Sequence, residues 1–378
     1  MRVKKLADQL TGAPGRFAAH RVVWNSCLLR QPVRRTVNLA RDLMDLAQDA
    51  GDRKQLAVAH RALGISLYIA GNLDEAADIF ARGAVLADSI SDTEFGVYGE
   101  HPSMVCRVNG GYVRSLMGFP NVAAELCNSG IAHARNRKNP HSLAWALCVA
   151  SRAYADQRAL AIALQLASEA LEIAREHRLP QWLAVAHMTK GWAMCQLGDI
   201  AGGLNLQEKG ERDWRVTGAV LHTTRWQGML AESYLLANDT VAARWHLAAA
   251  RSHCEDYGEN YMAAELCRWS ALLSLTEGHS SEIVECQLHE ALRIAREQGA
   301  RSFELRSAIM LARLLGEQGR RAEAFDLLAP IYGWFTEGFD TPDLKEAKAL
   351  LDGKGVKARE KLHLQSCSAD PVPEAATS

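Results

Sequence analysis

The sequence predicts an all-α fold, a right-handed α-solenoid of about eight helical hairpins with a repeat of about 40 residues. Three observations predict it. A small residue recurs at Ala76, Ala123, Ala163, Gly203, Ala243 and Ala324, with spacings of 47, 40, 40, 40 and 81 residues. Val284 divides the last interval into 41 and 40. Helix breakers keep step at Gly118, Gln157, Gly198, Asn238, Gly278 and Gln318, 39 to 41 residues apart. A second breaker set, Pro140, Pro180, Gly218, Gly258, Gly299 and Gly338, falls between them. Two breakers per unit mean two helices per unit, stacked many times.

The chain divides into three parts. Residues 1–14 form an N-terminal extension, residues 15–352 the array, and residues 353–378 a tail expected to be disordered. At the start of the array Trp24 takes the place of Gly64, and Thr36 lies 40 residues before Ala76. The unit from Leu56 to Ala87 shows the physics most plainly. Its first helix carries Leu63, Gly64 and Leu67, Gly71-Asn72 breaks it, and the second helix carries Ala76, Phe80 and Gly83. Small residues at Gly64, Ala76 and Gly83 allow close helix contact, and large ones fill the space around it. That is a tetratricopeptide-like pattern. The length, about six residues over the usual 34, keeps a HEAT-type pair of about 40–47 residues open; the Leu-Gly and Ala-x3-Phe signature favours the former. The seven-residue surplus before Ala123 falls in Ser89 to Ser103, whose Gly96, Gly99 and Pro102 predict an exposed inserted loop. Further on, Ala161, Leu164, Ala167, Ala170, Leu171 and Ala174 repeat at helical spacing, and no sustained period-two run appears.

Composition narrows the function. The chain is 48% hydrophobic and 23% charged, and 43 basic residues nearly balance 44 acidic ones for a net charge of -1. Nothing here marks a nucleic-acid or acidic-membrane binder. The basic start Met1-Arg2-Val3-Lys4-Lys5 lacks the apolar stretch of a signal peptide. The longest apolar run, Leu143 to Ala150, is far short of the roughly 20 residues that span a bilayer. Nine cysteines without framework spacing suit a reducing cytoplasm.

The last third carries a more specific signal. Glu304-Leu305-Arg306-Ser307-Ala308 leads to Leu311-Ala312-Arg313-Leu314, Gln318-Gly319-Arg320 and the run from Leu327 to Thr341. Tyr98-Gly99-Glu100-His101-Pro102, Leu116-Met117-Gly118-Phe119-Pro120, Gly191-Trp192-Ala193 and Thr217-Gly218-Ala219 add to it. Together they resemble the C-terminal helical region of large bacterial adenylate/guanylate cyclase-type regulators. The resemblance covers about Gly15 to Leu351. It implies a tetratricopeptide-like array that, in the family, follows a cyclase or DNA-binding domain and an ATPase module. His101 stands where the family carries an acidic residue, and the tail after Asp352 departs from the family ending.

The residues themselves argue against catalysis. The chain has no Gly-x4-Gly-Lys-Ser/Thr phosphate loop and no Gly-x-Gly-x-x-Gly. A metal-dependent cyclase needs paired carboxylates to hold its ions at the triphosphate, and no strands are predicted to carry them. His279, Cys286 and His289, like His246, His253 and Cys254, share helix faces but lack the four-ligand pattern of structural zinc. No Gly-x-Ser-x-Gly occurs. The expectation is no enzyme, no cofactor and no metal.

Nine tryptophans exceed what this length suggests, and packing between hairpins accounts for most of them. Positions one and four residues after the small residue of each first helix, and three and six before it, should face the concave surface. That rule gives a partner-binding groove of Arg61, Tyr68, Tyr112, Trp145, Arg152, Trp192, Arg225, Glu232 and Arg313. Tyr, Trp and Arg are the side chains that most often anchor interfaces. Trp192, Tyr112 and Arg152 should form one exposed stripe. The expected molecule is an elongated cytoplasmic interaction or signal-sensing module that holds a peptide or protein in the groove, without nucleic acid or membrane. The alternatives are a small-molecule inducer sensor and, from the resemblance alone, part of a cyclase or ATPase whose catalytic domains lie on another chain.

Overall fold

A computed structural model describes residues 13–91, 94–95 and 100–353. The extension up to residue 12, residues 92–93 and 96–99 of the predicted loop and the tail from residue 354 lie outside the described residues. The described chain is seventeen α-helices and short 3-10 turns, with no strand among the described residues. Eight antiparallel hairpins follow one another: α1 (Ala13–Arg30) with α2 (Val33–Asp49), α3 (Arg53–Ala70) with α4 (Leu73–Asp88), α5 (Pro102–Leu116) with α6 (Pro120–Asn136), and α7 (Pro140–Asp156) with α8 (Leu160–Glu176). Then come α9 (Pro180–Gln196) with α10 (Ile200–Val216), α11 (Thr223–Leu236) with α12 (Thr240–Tyr257), α13 (Ala263–Thr276) with α14 (Ser281–Gln298), and α15 (Arg301–Glu317) with α16 (Arg321–Gly333). A single helix, α17 (Pro342–Leu351), closes the stack.

Local chemistry sets the boundaries. Asp52, Asn139, Asp199 and Asp239 cap their helices by accepting backbone N–H groups two or three residues on. Proline opens α5, α6, α7, α9 and α17, where its missing N–H has no partner to lose. In seven of the eight hairpins the inner turn uses one left-handed residue: Gly71, Gly118, Gly198, Gly278 or Gly319 in five, Arg158 and Asn238 in two; the α1–α2 turn at Gln31-Pro32 has none. Two of the breakers read from the sequence therefore sit one residue early. Gln157 and Gln318 cap their helices, and Arg158 and Gly319 make the turn. Between hairpins, Lys138 and Arg178 hold the same conformation two residues before Pro140 and Pro180. A non-glycine residue there costs roughly 1 kcal/mol. Lys138→Gly is therefore expected to stabilise the array by up to about 1 kcal/mol, read as a higher urea midpoint.

First helices are buried nearly all round, whereas second helices bury one stripe of small residues. In α8 that stripe is Ala163, Ala167, Ala170 and Ala174. The small residues mark the closest approaches. A Cβ on Gly64 would lie 2.6 Å from the Phe80 ring, and one on Gly83 2.7 Å from His60. The tightest hairpin is α9–α10, where a Cβ on Gly191 would come within 2.5 Å of the Gly203 carbonyl and 2.8 Å of the Gln207 nitrogen. Backbone cannot step aside as a side chain can. Gly191→Ala is expected to cost about 1–3 kcal/mol by overpacking, measured by denaturant unfolding.

Two expectations are corrected. The segment from Ser89 to Ser103 is not simply an exposed loop: Phe95 and His101 are buried, their rings 4.6 Å apart edge to face, and His101 packs on His133. Nor is the array elongated. It curls until distant hairpins touch. The Ser302 hydroxyl donates to the Ser115 carbonyl at 2.6 Å. Glu337 accepts the N–H groups of Asn121 and Val122 at the start of α6, at 2.8 and 3.3 Å. Val220 donates to the Leu29 carbonyl at 2.7 Å.

Candidate binding site at the centre of the array

Curling turns the first helices toward one another, and their inward side chains meet. On one side, an aromatic hub joins α3, α5, α11 and the 3-10 turn Asn260–Met262. Tyr68 meets Tyr112 and Tyr261 edge to face, with ring centroids 5.9 and 5.6 Å apart. His222 lies between two phenols: its Nε2 is 3.3 Å from the Tyr68 hydroxyl and its Nδ1 2.9 Å from that of Tyr261. Burial, then the nearby Arg152 and Arg225, hold its pKa well below the usual imidazole value. It is therefore neutral, with one ring nitrogen donating and the other accepting.

On the other side runs a chain of charges. Arg225 donates to Asp156 at 2.8 Å and to the Tyr112 hydroxyl at 3.0 Å. Trp192 donates from its indole to Glu232 at 2.9 Å, and Arg268 bridges Glu232 (3.2 Å) and Glu265 (2.9 Å). Arg306 then joins Glu265 at 3.2 Å, Asp343 of α17 at 3.0 Å and the Asp156 carbonyl. Arg158 stands 3.5 Å from Asp343. Burial alone would raise the Glu265 pKa, but Arg268 and Arg306 outweigh it and hold the carboxyl at about 2. Buried charges survive only when each finds such partners.

The centre is closed. Asp156, Trp192, Arg225, Glu232, Glu265, Trp269 and Arg306 line a cavity of about 20 Å³, room for about one water molecule.

The structure brings Tyr68, Tyr112, Arg152, Trp192, Arg225 and Glu232 to this shared centre, and Arg61 and Trp145 lie near it. It does not expose them. Tyr112 is wholly buried and Trp192 is 7% exposed, so the expected solvent-facing stripe of Trp192, Tyr112 and Arg152 is corrected. Tyr68, Arg61, Arg225 and Glu232 are buried too, and Trp145 is half-buried. The physical reason is the curl: side chains that would line an open groove are covered by the opposite wall. Arg313 is exposed, pairs with Glu346 of α17 at 2.7 Å, and does not join the centre.

Sequence reasoning missed Glu265, Arg268 and Arg306. Its own spacing rule reaches them: Glu265 and Arg268 stand six and three residues before Ala271, and Arg306 six before Ala312. His222, Tyr261, Asp156 and Asp343 lie at helix ends or between helices, where the rule does not apply. Among the described residues no group of three or more His, Cys, Asp or Glu side chains is placed to hold a metal ion. His246 instead stacks on Tyr234, and His253 faces Glu259 at 3.3 Å. No helix is long and apolar enough to cross a membrane, among the described residues.

Solved structures share this arrangement of hairpins. A Rap protein complexed with Competence and Sporulation Factor superposes with a TM-score of 0.56 at 13% identity, over 89% of this chain and 96% of that one. The Rap conjugation gene regulator of plasmid pLS20, in complex with the Phr* peptide, gives 0.56 at 12% identity over 82% and 77%. The apo form of the quorum sensor NprR from B. thuringiensis gives 0.50 at 11% identity over 88% and 91%. The fold is a tetratricopeptide-like array. Identities this low carry the array's architecture and nothing finer. No family model matches the sequence, and no curated protein is significantly similar to it.

Proposed function

We propose that the chain is a non-catalytic sensing module that binds a peptide or an extended protein segment at the centre of its array. The observation that carries this is the character of the centre. Seven successive first helices, α3 to α15, turn Tyr, Trp, Arg and carboxylate side chains toward one another, and hydrogen bonds and ion pairs close the space between them. Such contacts can be exchanged for the backbone and side chains of a bound segment, whereas a dry apolar seam offers nothing to exchange. The similar structures lend support, since two of them hold a peptide or a named signalling factor by their own titles. A small-molecule inducer has less support, since the similar structures that hold a ligand name a peptide and a signalling factor. The resemblance of residues 304–341 to cyclase-type regulators supports a regulatory role, not a catalytic one, in cytoplasmic signalling.

Screening the pure protein against a library of unstructured peptides of five to ten residues, by melting temperature and tryptophan fluorescence, tests this. Several library members should raise the melting temperature and alter the emission of the buried indoles. Stabilisation by ATP, GTP or a cyclic nucleotide, with no response to any peptide, would overturn it.

A further inference from the structure

Beside the central network, and separate from it, four helices build a second arrangement. Trp24 of α1, Arg61 of α3, Trp145 of α7 and Trp182 of α9 form a ladder. The Arg61 guanidinium lies 5.8 Å from the Trp24 ring and 5.1 Å from the Trp145 ring. Trp145 and Trp182 stack at 5.3 Å with 29° between their planes. His141 sets its ring edge-on to both, at 6.3 and 5.6 Å. Trp24 is buried and Trp145 and Trp182 are half-buried, so the ladder ends in an indole pair, a shelf that reaches the surface.

Arg61 is only 3% exposed, and its charge is poorly met. Among the described residues its ion-pair partner is Glu100 at 3.5 Å, and its Nε–H has no hydrogen-bond acceptor there. The Trp182 indole N–H likewise lacks an acceptor. A buried guanidinium, with five donors arranged to grip a carboxylate in two places, is here satisfied loosely by a side chain that is itself one-fifth exposed. Burying a cation so thinly partnered costs stability, and a ligand carboxylate would recover it.

We propose that this shelf is the anchor for the carboxylate end of the bound peptide. It would take a carboxylate on Arg61, in place of Glu100, with a flat apolar side chain laid on Trp145 and Trp182. The inference rests on the peptide-binding reading above and names one subsite of it.

N-acetyl-phenylalanine, compared with its amide, is the probe. Binding to the full chain is followed by the indole N–H signals of the nitrogen-15-labelled protein. The free acid should shift the Trp145 and Trp182 signals at about tenfold lower concentration than the amide, the loss expected when a charged acceptor is replaced by a neutral one. Glu100→Gln, which removes the competing charge and keeps a neutral acceptor of the same shape beside Arg61, should tighten the acid by about three- to tenfold. Equal response to acid and amide, or no change in Glu100→Gln, would overturn the anchor. The two readings also fail separately. Peptides that bind equally with free and amidated C-termini sink the anchor and leave peptide sensing standing. Acetyl-phenylalanine on the shelf, with no peptide bound, sinks peptide sensing and leaves a carboxylate site.

Discussion

Arg306→Ala is expected to destabilise the protein by about 3–5 kcal/mol, the range for removing one member of a buried ion cluster. Three acceptors each lose a donor at once: Glu265, which is left to Arg268, Asp343, which is left to Arg158 at 3.5 Å, and the Asp156 carbonyl. Water reaches little of that space, so the loss is not refunded by solvation. Replacing both ends of one link, as in Arg306→Met with Asp343→Leu, should recover part of it, because apolar side chains of similar volume leave fewer orphaned charges. Urea unfolding of the two single variants and the double variant checks this as a cycle. A pH series adds a second readout. The folded Glu265 carboxyl sits at about 2, below its unfolded value, so its contribution is present above about pH 4.5 and is lost as pH falls toward 2. Without Arg306 that pKa rises toward the ordinary carboxylate value. The stability gap between wild type and variant should therefore narrow as the pH falls below about 4. A gap that is small at neutral pH, or independent of pH, would show that the charge chain does not hold the centre closed.

Trp192→Ala and Tyr112→Ala should each cost about 3–5 kcal/mol, as large aromatic truncations in a packed interior do. The open-groove reading of the sequence predicts the reverse, a silent change in stability. Burial decides between them, since Tyr112 is wholly enclosed and Trp192 nearly so. Trp192→Ala also strips Glu232 of its indole donor and leaves that carboxylate to Arg268 alone. Trp192→Phe, which keeps most of the volume, isolates the hydrogen bond and should cost about 1–2 kcal/mol. Thermal unfolding by circular dichroism settles it, with unchanged melting of both alanine variants as the contrary result.

The hairpins were legible because their causes are local. Ala76, Gly64 and Phe80 are where one helix must approach another, and approach distance shows in residue size alone. Turn positions were nearly as plain, except where Arg158 takes a conformation usually left to glycine and so hides the true turn one residue beyond Gln157. Which side chains face inward was legible too, because first-helix register follows from period. Whether that inner face is wet or dry was not. It depends on how far the stack rotates per hairpin, a small angle summed over eight units, and the sequence encodes it only through contacts such as Arg225 with Tyr112, 113 residues apart. His222, Tyr261 and Asp343 stayed hidden because they sit where the period lapses.

The contact between Glu337 and the start of α6 spans more than 200 residues, and it bears on how this chain could have diverged. Open solenoids gain or lose whole units cheaply, since each unit touches only its neighbours. Here the insertion or deletion of one 40-residue hairpin anywhere between α6 and α16 would rotate every later helix about the axis. Glu337 would miss the α6 amides, and a change between α7 and α15 would also part Arg306 from Asp156. The number of units is thus fixed by geometry. Gain or loss of a unit would therefore open the closed stack, whereas changes of side chain or turn length can leave it shut.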